Sequence, residues 1–156
     1  MANQPAYNPS PAMFAGTDAI AGRSFDAIVL ISRILIGWLM FTNGWAKLMN
    51  MPAFVTYLIN LKVPAPGFWA WPAMAAEVGL GAALILGLAT RYASLATFVY
   101  LIITIALAHR YWEYPAAQQL GQYTNFLKNL AIMGGTLLLF VTGAGRFSVD
   151  AWLRRR

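Results

Sequence analysis

The chain has 156 residues, of which 60% are hydrophobic and 10% charged, with a mean hydropathy of +0.58. That balance excludes an ordinary soluble domain, and windows of about twenty apolar residues recur along the chain as bilayer spans require. A net charge of +6 raises the question of nucleic acid, but the basic residues flank apolar runs and so suit membrane orientation and anionic lipid instead.

Residues 1–25 carry Pro, Ala, Asn and Ser without a basic start or a long apolar stretch, and they read as a flexible amino-terminal tail. The first span is predicted over residues 26–49, with Pro52 shortly beyond it. The connection after it, "MPAFVTYLINLKVPAPGF", has a first half suited to a short interfacial helix. A second span follows over residues 68–90 and a third over residues 92–111, so a tight turn is expected around Arg91. The fourth span is expected over residues 123–142, after a long connection containing "EYPAAQQLGQ", and Gly143 and Gly145 end it. Residues 26–143 thus form one antiparallel four-helix transmembrane bundle, an all-α membrane protein. Residues 144–156 form a basic tail, with an N-cap at Ser148 and a short helix on the membrane surface.

An even number of spans places both termini on one side. Arg23, Arg91, Arg146 and Arg154 to Arg156 gather there, so the termini are expected in the cytoplasm and the chain in a cell inner membrane. The opposite, outer side is marked by Trp45, Trp69, Trp71, Tyr111, Trp112, Tyr114 and Tyr123, whose rings suit the headgroup region. The glycines of the spans, among them Gly37, Gly44, Gly79, Gly81 and Gly134, read as places where helices pack closely.

Ionisable groups inside a span usually face the bundle interior and mark a function or an ion pair. At about 1.5 Å per residue, Glu77 lies roughly 10 to 14 Å below the outer end of the second span, and Lys128 and Asn129 roughly 7 to 9 Å below that of the fourth. Asn43 lies at similar depth, and Lys47 and His109 sit nearer the surface, with a lysine stem able to reach inward. Asn43 and Lys47 are i, i+4, and Asn125, Lys128 and Asn129 follow the i, i+3, i+4 pattern, so each set forms one stripe. All four spans therefore bring polar groups to one depth. Glu77 and His109 are the candidate proton-exchanging groups, and Asn43, Lys47, Lys128 and Asn129 the candidate ligand-binding groups. Each also has a plainer reading: a Glu77 ion pair that fixes helix register, a snorkelling Lys47, an interfacial His109. Arg33 is expected to snorkel or to pair across helices. No cysteine and one histidine leave no metal or iron–sulfur ligand set in this chain alone.

The stretches "RILIGWLMFTNGWAKL", "VPAP", "AEVGLGAALILGLATRYA", "ALAH", "KNLAIMGGTLLLF" and "GAGRFSVD", in this order, resemble the DoxX family of small four-span membrane proteins, which includes the DoxD-like subunits of thiosulfate:quinone oxidoreductases. The resemblance covers nearly everything after residue 26. It implies a four-helix membrane bundle, a place in an oxidoreductase system with quinone as the cofactor and a membrane or peripheral redox protein as partner, and it implicates Arg33, Gly44, Lys47, Glu77, Arg91, His109 and Asn129. The alternative to a quinone-interacting subunit is a non-catalytic assembly or anchoring subunit of a larger complex. A small-solute or proton carrier is weaker, because no inverted repeat or broken helix is present.

Overall fold

The computed structural model describes the backbone of residues 15–156 and the side chains of residues 24–156. Residues 1–14, part of the expected tail, lie outside the described residues. Helix α1 runs over Ala15–Met49, α2 over Met51–Asn60, α3 over Pro66–Leu86, α4 over Thr90–Ala108, α5 over Ala116–Thr142 and α6 over Val149–Leu153. Four stretches are long and apolar enough to cross a membrane: Ser24–Met49, Pro66–Leu86, Thr90–Glu113 and Ala116–Thr142. No strand occurs among the described residues. The antiparallel four-helix bundle expected from the sequence is the fold.

Three boundaries differ from expectation. Residues 15–25 are helical and extend α1 backward, where a tail was expected. The turn expected around Arg91 falls at Gly87–Ala89 instead, because Gly87, at φ +68°, caps α3 in the left-handed region that glycine tolerates best; Arg91 sits in the first turn of α4. The fourth span begins at Ala116, directly after Pro115, so "AAQQLGQ" is helix and not loop. Proline before a helix start supplies a break without needing a donor of its own. The link from α4 is correspondingly short, a single 3-10 turn over Tyr111–Glu113. The short helix expected after the first span is present as α2, whose N-cap Asn50 accepts from the Ala53 N–H at 3.3 Å.

The principal pairings are α1 on α3 and α4 on α5, with α1 on α5 and α3 on α4 closing the ring. Lipid gives no hydrophobic drive between helices, so close approach must come from small residues. Gly81 shows it directly: a Cβ there would stand 2.5 Å from the Phe41 backbone nitrogen and 2.7 Å from the Gly37 carbonyl. Gly44 meets α3 in the same way, against Glu77 and Val78, whereas Gly79 and Gly134 face open space and play no such part. Val29, Leu84, Ala93 and Leu139 fill the interior on the side of the termini, and Phe54, Leu58 and Ala70 form a second cluster beneath α2. Ile28, Ile31, Leu35 and Trp38 point outward on α1, as lipid-facing residues do.

The carboxy-terminal segment docks into the bundle end and does not lie loosely on a surface. Asp150 accepts from the Ala89 and Thr90 N–H groups at 2.7 and 2.8 Å, while its own N–H donates to the Gly87 carbonyl at 3.0 Å. Asp26 of α1 accepts from the Arg146 N–H at 2.7 Å. Ser148 caps α6, accepting from Ala151 N–H at 3.1 Å, as its place in the sequence predicts. Of the two expectations for Arg33, snorkelling fails: it is fully buried and donates to the Phe147 carbonyl of the carboxy-terminal segment.

Candidate functional site

At the end of the bundle opposite the termini, α1, α3, α4 and α5 enclose a cavity of about 330 Å³ beneath α2. Its wall is largely apolar, from Leu39, Met40, Phe54, Leu58, Leu101, Leu107 and Ile132. Asn43, Lys47, Glu77, His109, Lys128 and Asn129 all line it, so the six residues singled out in the sequence share one space. The volume suits a ring-sized ligand at the small end of the range for binding pockets.

The polar groups differ in what they do there. Glu77 is buried on α3, and Lys47 of α1 forms an ion pair with its Oε1. The Lys47 ammonium also stands 4.8 Å from the Phe54 ring centroid, so an aromatic face of α2 covers the pair. Gly44 explains how the pair can form: one turn before Lys47, its lack of a side chain lets α1 come up against the Cβ of Glu77. Asn129 of α5 is buried, with its Nδ2 without a partner among the described residues, as is Glu77 Oε2.

Three expected residues reach the cavity without joining this core. Asn43 is exposed and donates to the Leu39 carbonyl of its own helix at 2.7 Å, a local bond that competes with any cross-helix one. Lys128 is exposed and donates to Asn125 Oδ1 at 3.2 Å. His109 caps α4, and its Nδ1 lies 2.9 Å from Gln122 Oε1. These are rim groups.

Tyr100 is the residue that sequence reasoning missed. Its hydroxyl donates to Glu77 Oε1 at 2.7 Å, which gives the carboxylate a second cross-helix partner, from α4. A signal existed: tyrosine favours the two membrane interfaces, and Tyr100 stands in the middle of the Thr90–Glu113 span. Thr104, one turn on, lines the same wall and bonds back to the Tyr100 carbonyl at 2.9 Å. Above them, Tyr57 of α2 lines the cavity mouth, where burial and the neighbouring Tyr114 hydroxyl push its phenol up to about 12. It is therefore a neutral hydroxyl at any physiological pH.

Chemically, the arrangement is an apolar slot with one internally neutralised ion pair at its wall, a phenol that donates into that pair, and two buried polar atoms without a partner among the described residues. Such a wall can orient a mostly apolar molecule through a few hydrogen bonds.

The comparisons with known proteins agree with this architecture. A family model described as DoxX matches residues 28–110, which include Asn43, Lys47, Glu77, Tyr100 and His109. A model described as the SURF4 family matches residues 73–155. Inner membrane protein YphA of Escherichia coli K12 is 31% identical over 129 residues, 83% of this chain and 92% of that protein. Inner membrane protein YqjF of the same organism is 34% identical over 131 residues, 84% of this chain and 95% of that protein. No solved structure matches the chain. With its four-span bundle and a family match across the first three spans, the chain belongs to the DoxX family of membrane proteins.

Proposed function

We propose that the protein is a quinone-interacting membrane subunit of an oxidoreductase system, residing in a cell inner membrane with both termini in the cytoplasm. The observation that carries this reading is the cavity itself: a largely apolar slot whose wall holds the Lys47–Glu77 pair, Tyr100 and Asn129. A quinone ring needs an apolar slot, hydrogen-bonding groups for its two oxygens and a proton route. Asn129, with Lys128 and Asn43 at the rim, offers hydrogen-bonding groups, and Glu77 and His109 offer proton carriers. The arginines on the side of the termini support that orientation, in which the cavity faces the outer side. A chain with no cysteine and one histidine does not build a metal or iron–sulfur centre alone, so electrons come from a membrane or peripheral redox partner or from a bound cofactor.

The test is to purify the protein in mild detergent, extract its lipid-soluble cofactors and measure added-quinone binding in the wild type, Lys47→Ala and Glu77→Gln. Copurified quinone is expected, with binding weakened in Lys47→Ala and changed in Glu77→Gln. Unchanged binding in both would remove the site, and absence of quinone binding together with a stoichiometric protein complex would favour an assembly subunit whose buried polar groups only fix packing.

A further inference from the structure

Glu77 and Asn129 are 5% and 4% exposed, and each has one side-chain atom that meets no hydrogen-bond partner among the described residues: Glu77 Oε2 and Asn129 Nδ2. Buried polar atoms left unmet are costly, and where they adjoin a cavity they describe the ligand that would meet them. Both residues line the cavity beneath α2.

The two atoms ask for opposite things. A carboxylate accepts only, and an amide nitrogen donates only. The proton donors nearest Glu77 are already directed to its other oxygen: Lys47 and Tyr100 both give to Oε1. Oε2 is thus left requiring an O–H or N–H from outside the protein, while Asn129 Nδ2 requires an oxygen. A ring carbonyl satisfies Asn129 but would set its lone pairs against those of Oε2. A ring hydroxyl has both a proton to give and an oxygen to offer.

We propose that the cavity discriminates between the redox forms of its ring ligand and selects the dihydroxy form, the hydroquinone, with a ligand O–H donating to Glu77 Oε2 and a ligand oxygen accepting from Asn129 Nδ2. The proposal rests on the quinone-site reading and adds to it the form of the ligand that is held. The slot's apolar wall and the cancelled charge of the Lys47–Glu77 pair suit a neutral ligand, which the hydroquinone is and a phenolate is not. Tyr100 is a positioning residue: it holds the carboxylate by Oε1 and leaves Oε2 as the oxygen without a partner among the described residues.

The experiment measures equilibrium binding to the full-length protein in detergent for three probes: a short-chain alkyl benzoquinone, the same compound kept reduced under anaerobic dithionite, and the dimethyl ether of its hydroquinone. The ether keeps both oxygens as acceptors and loses both protons, and it cannot change redox state. The hydroquinone is expected to bind about tenfold more tightly than either of the others, the factor a hydrogen bond to a charged acceptor carries. In Glu77→Gln, whose amide can donate to a carbonyl, the three affinities are expected to fall within about twofold of one another. Asn129→Leu should weaken quinone and hydroquinone alike and keep their ratio. Equal binding of the three probes by the wild type, or preference for the quinone, overturns the proposal and leaves the quinone-site reading standing. Failure of every probe to bind overturns both. The wild-type ether comparison decides the matter even if Glu77→Gln does not fold.

Discussion

The two ends of the bundle use buried polar groups for opposite purposes. At the end that carries the termini, Arg33 is fully buried, with Nε and Nη1 unmet among the described residues and Nη2 donating to the Phe147 carbonyl. Protein packs tightly against it: a Cβ on Gly87 would stand 1.7 Å from its Nη1. At the other end, Glu77 and Asn129 are also buried and each has one side-chain atom without a partner among the described residues, but both residues line a cavity. An unmet polar atom therefore identifies a ligand site only where there is room beside it. At the first end the partners are backbone groups of the carboxy-terminal segment, so the polar residues there hold a fold. At the second they are side chains on separate helices, arranged around a vacant volume.

The contrast breaks if a variant at the first end alters ligand binding or one at the second end unfolds the protein. Gly87→Ala is the strongest test of the first half. It forces a side chain into a left-handed residue and onto the Arg33 guanidinium, and a loss of about 3 kcal/mol or more is expected from strain and overpacking together. Thermal unfolding in detergent reads it, and the ligand affinity of whatever remains folded should not change. Asp150→Ala comes next. Asp150 accepts the N–H groups of Ala89, a non-glycine residue at φ +46°, and of Thr90, the first residue of α4. Removing a cap of this kind costs about 1 to 2 kcal/mol, and the expected signature is a lowered unfolding temperature with faster proteolysis of the carboxy-terminal segment.

Tyr100→Phe belongs to the second half and should act on both readouts modestly. It deletes the hydroxyl that donates to Glu77 Oε1, about 1 kcal/mol of stability. Its larger consequence is for selectivity, since Lys47 alone then orients the carboxylate. Preference for hydroquinone over quinone should shrink while affinity for the quinone is nearly kept, a split that a purely structural role for Tyr100 would not produce.

The fold and the membership of the cavity were largely legible in the chain, because both depend on period and spacing. Apolar windows of span length located the four helices, and the i, i+3 and i, i+4 spacing of Lys47, Asn129 and their neighbours put them on inward stripes. What escaped was set by tertiary detail. Asn43 shares a stripe with Lys47, yet its short amide finds the Leu39 carbonyl one turn back before it finds another helix. Tyr100 looks like one more aromatic in an apolar run until α3 places a carboxylate opposite it. Arg33 reads as a residue that snorkels or pairs across helices, and nothing local shows that its partner is the Phe147 carbonyl, more than a hundred positions away in the chain. The α5 start at Ala116 was missed because "AAQQLGQ" is too polar to read as part of a span, although it is an ordinary helical sequence beyond the apolar core.

Asn129→Leu gives the smallest expected effect on stability and the cleanest separation of the two ends. The amide Nδ2 has no partner among the described residues, so replacing it by an apolar group of similar volume removes an unmet donor and refills its space; the change in stability should stay within about 0.5 kcal/mol and can be favourable. Ligand affinity should nevertheless fall by about tenfold, the value of one lost hydrogen bond in a site shielded from water. The same logic applied to Arg33 gives a different answer, because an apolar residue there abandons the Phe147 carbonyl and loosens the docked segment, whereas Asn129 Nδ2 holds no partner among the described residues. A variant that costs no stability and still weakens binding would locate the function in the open end of the bundle. A matching loss of both would mean that Asn129 belongs, like Arg33, to the packing of the fold.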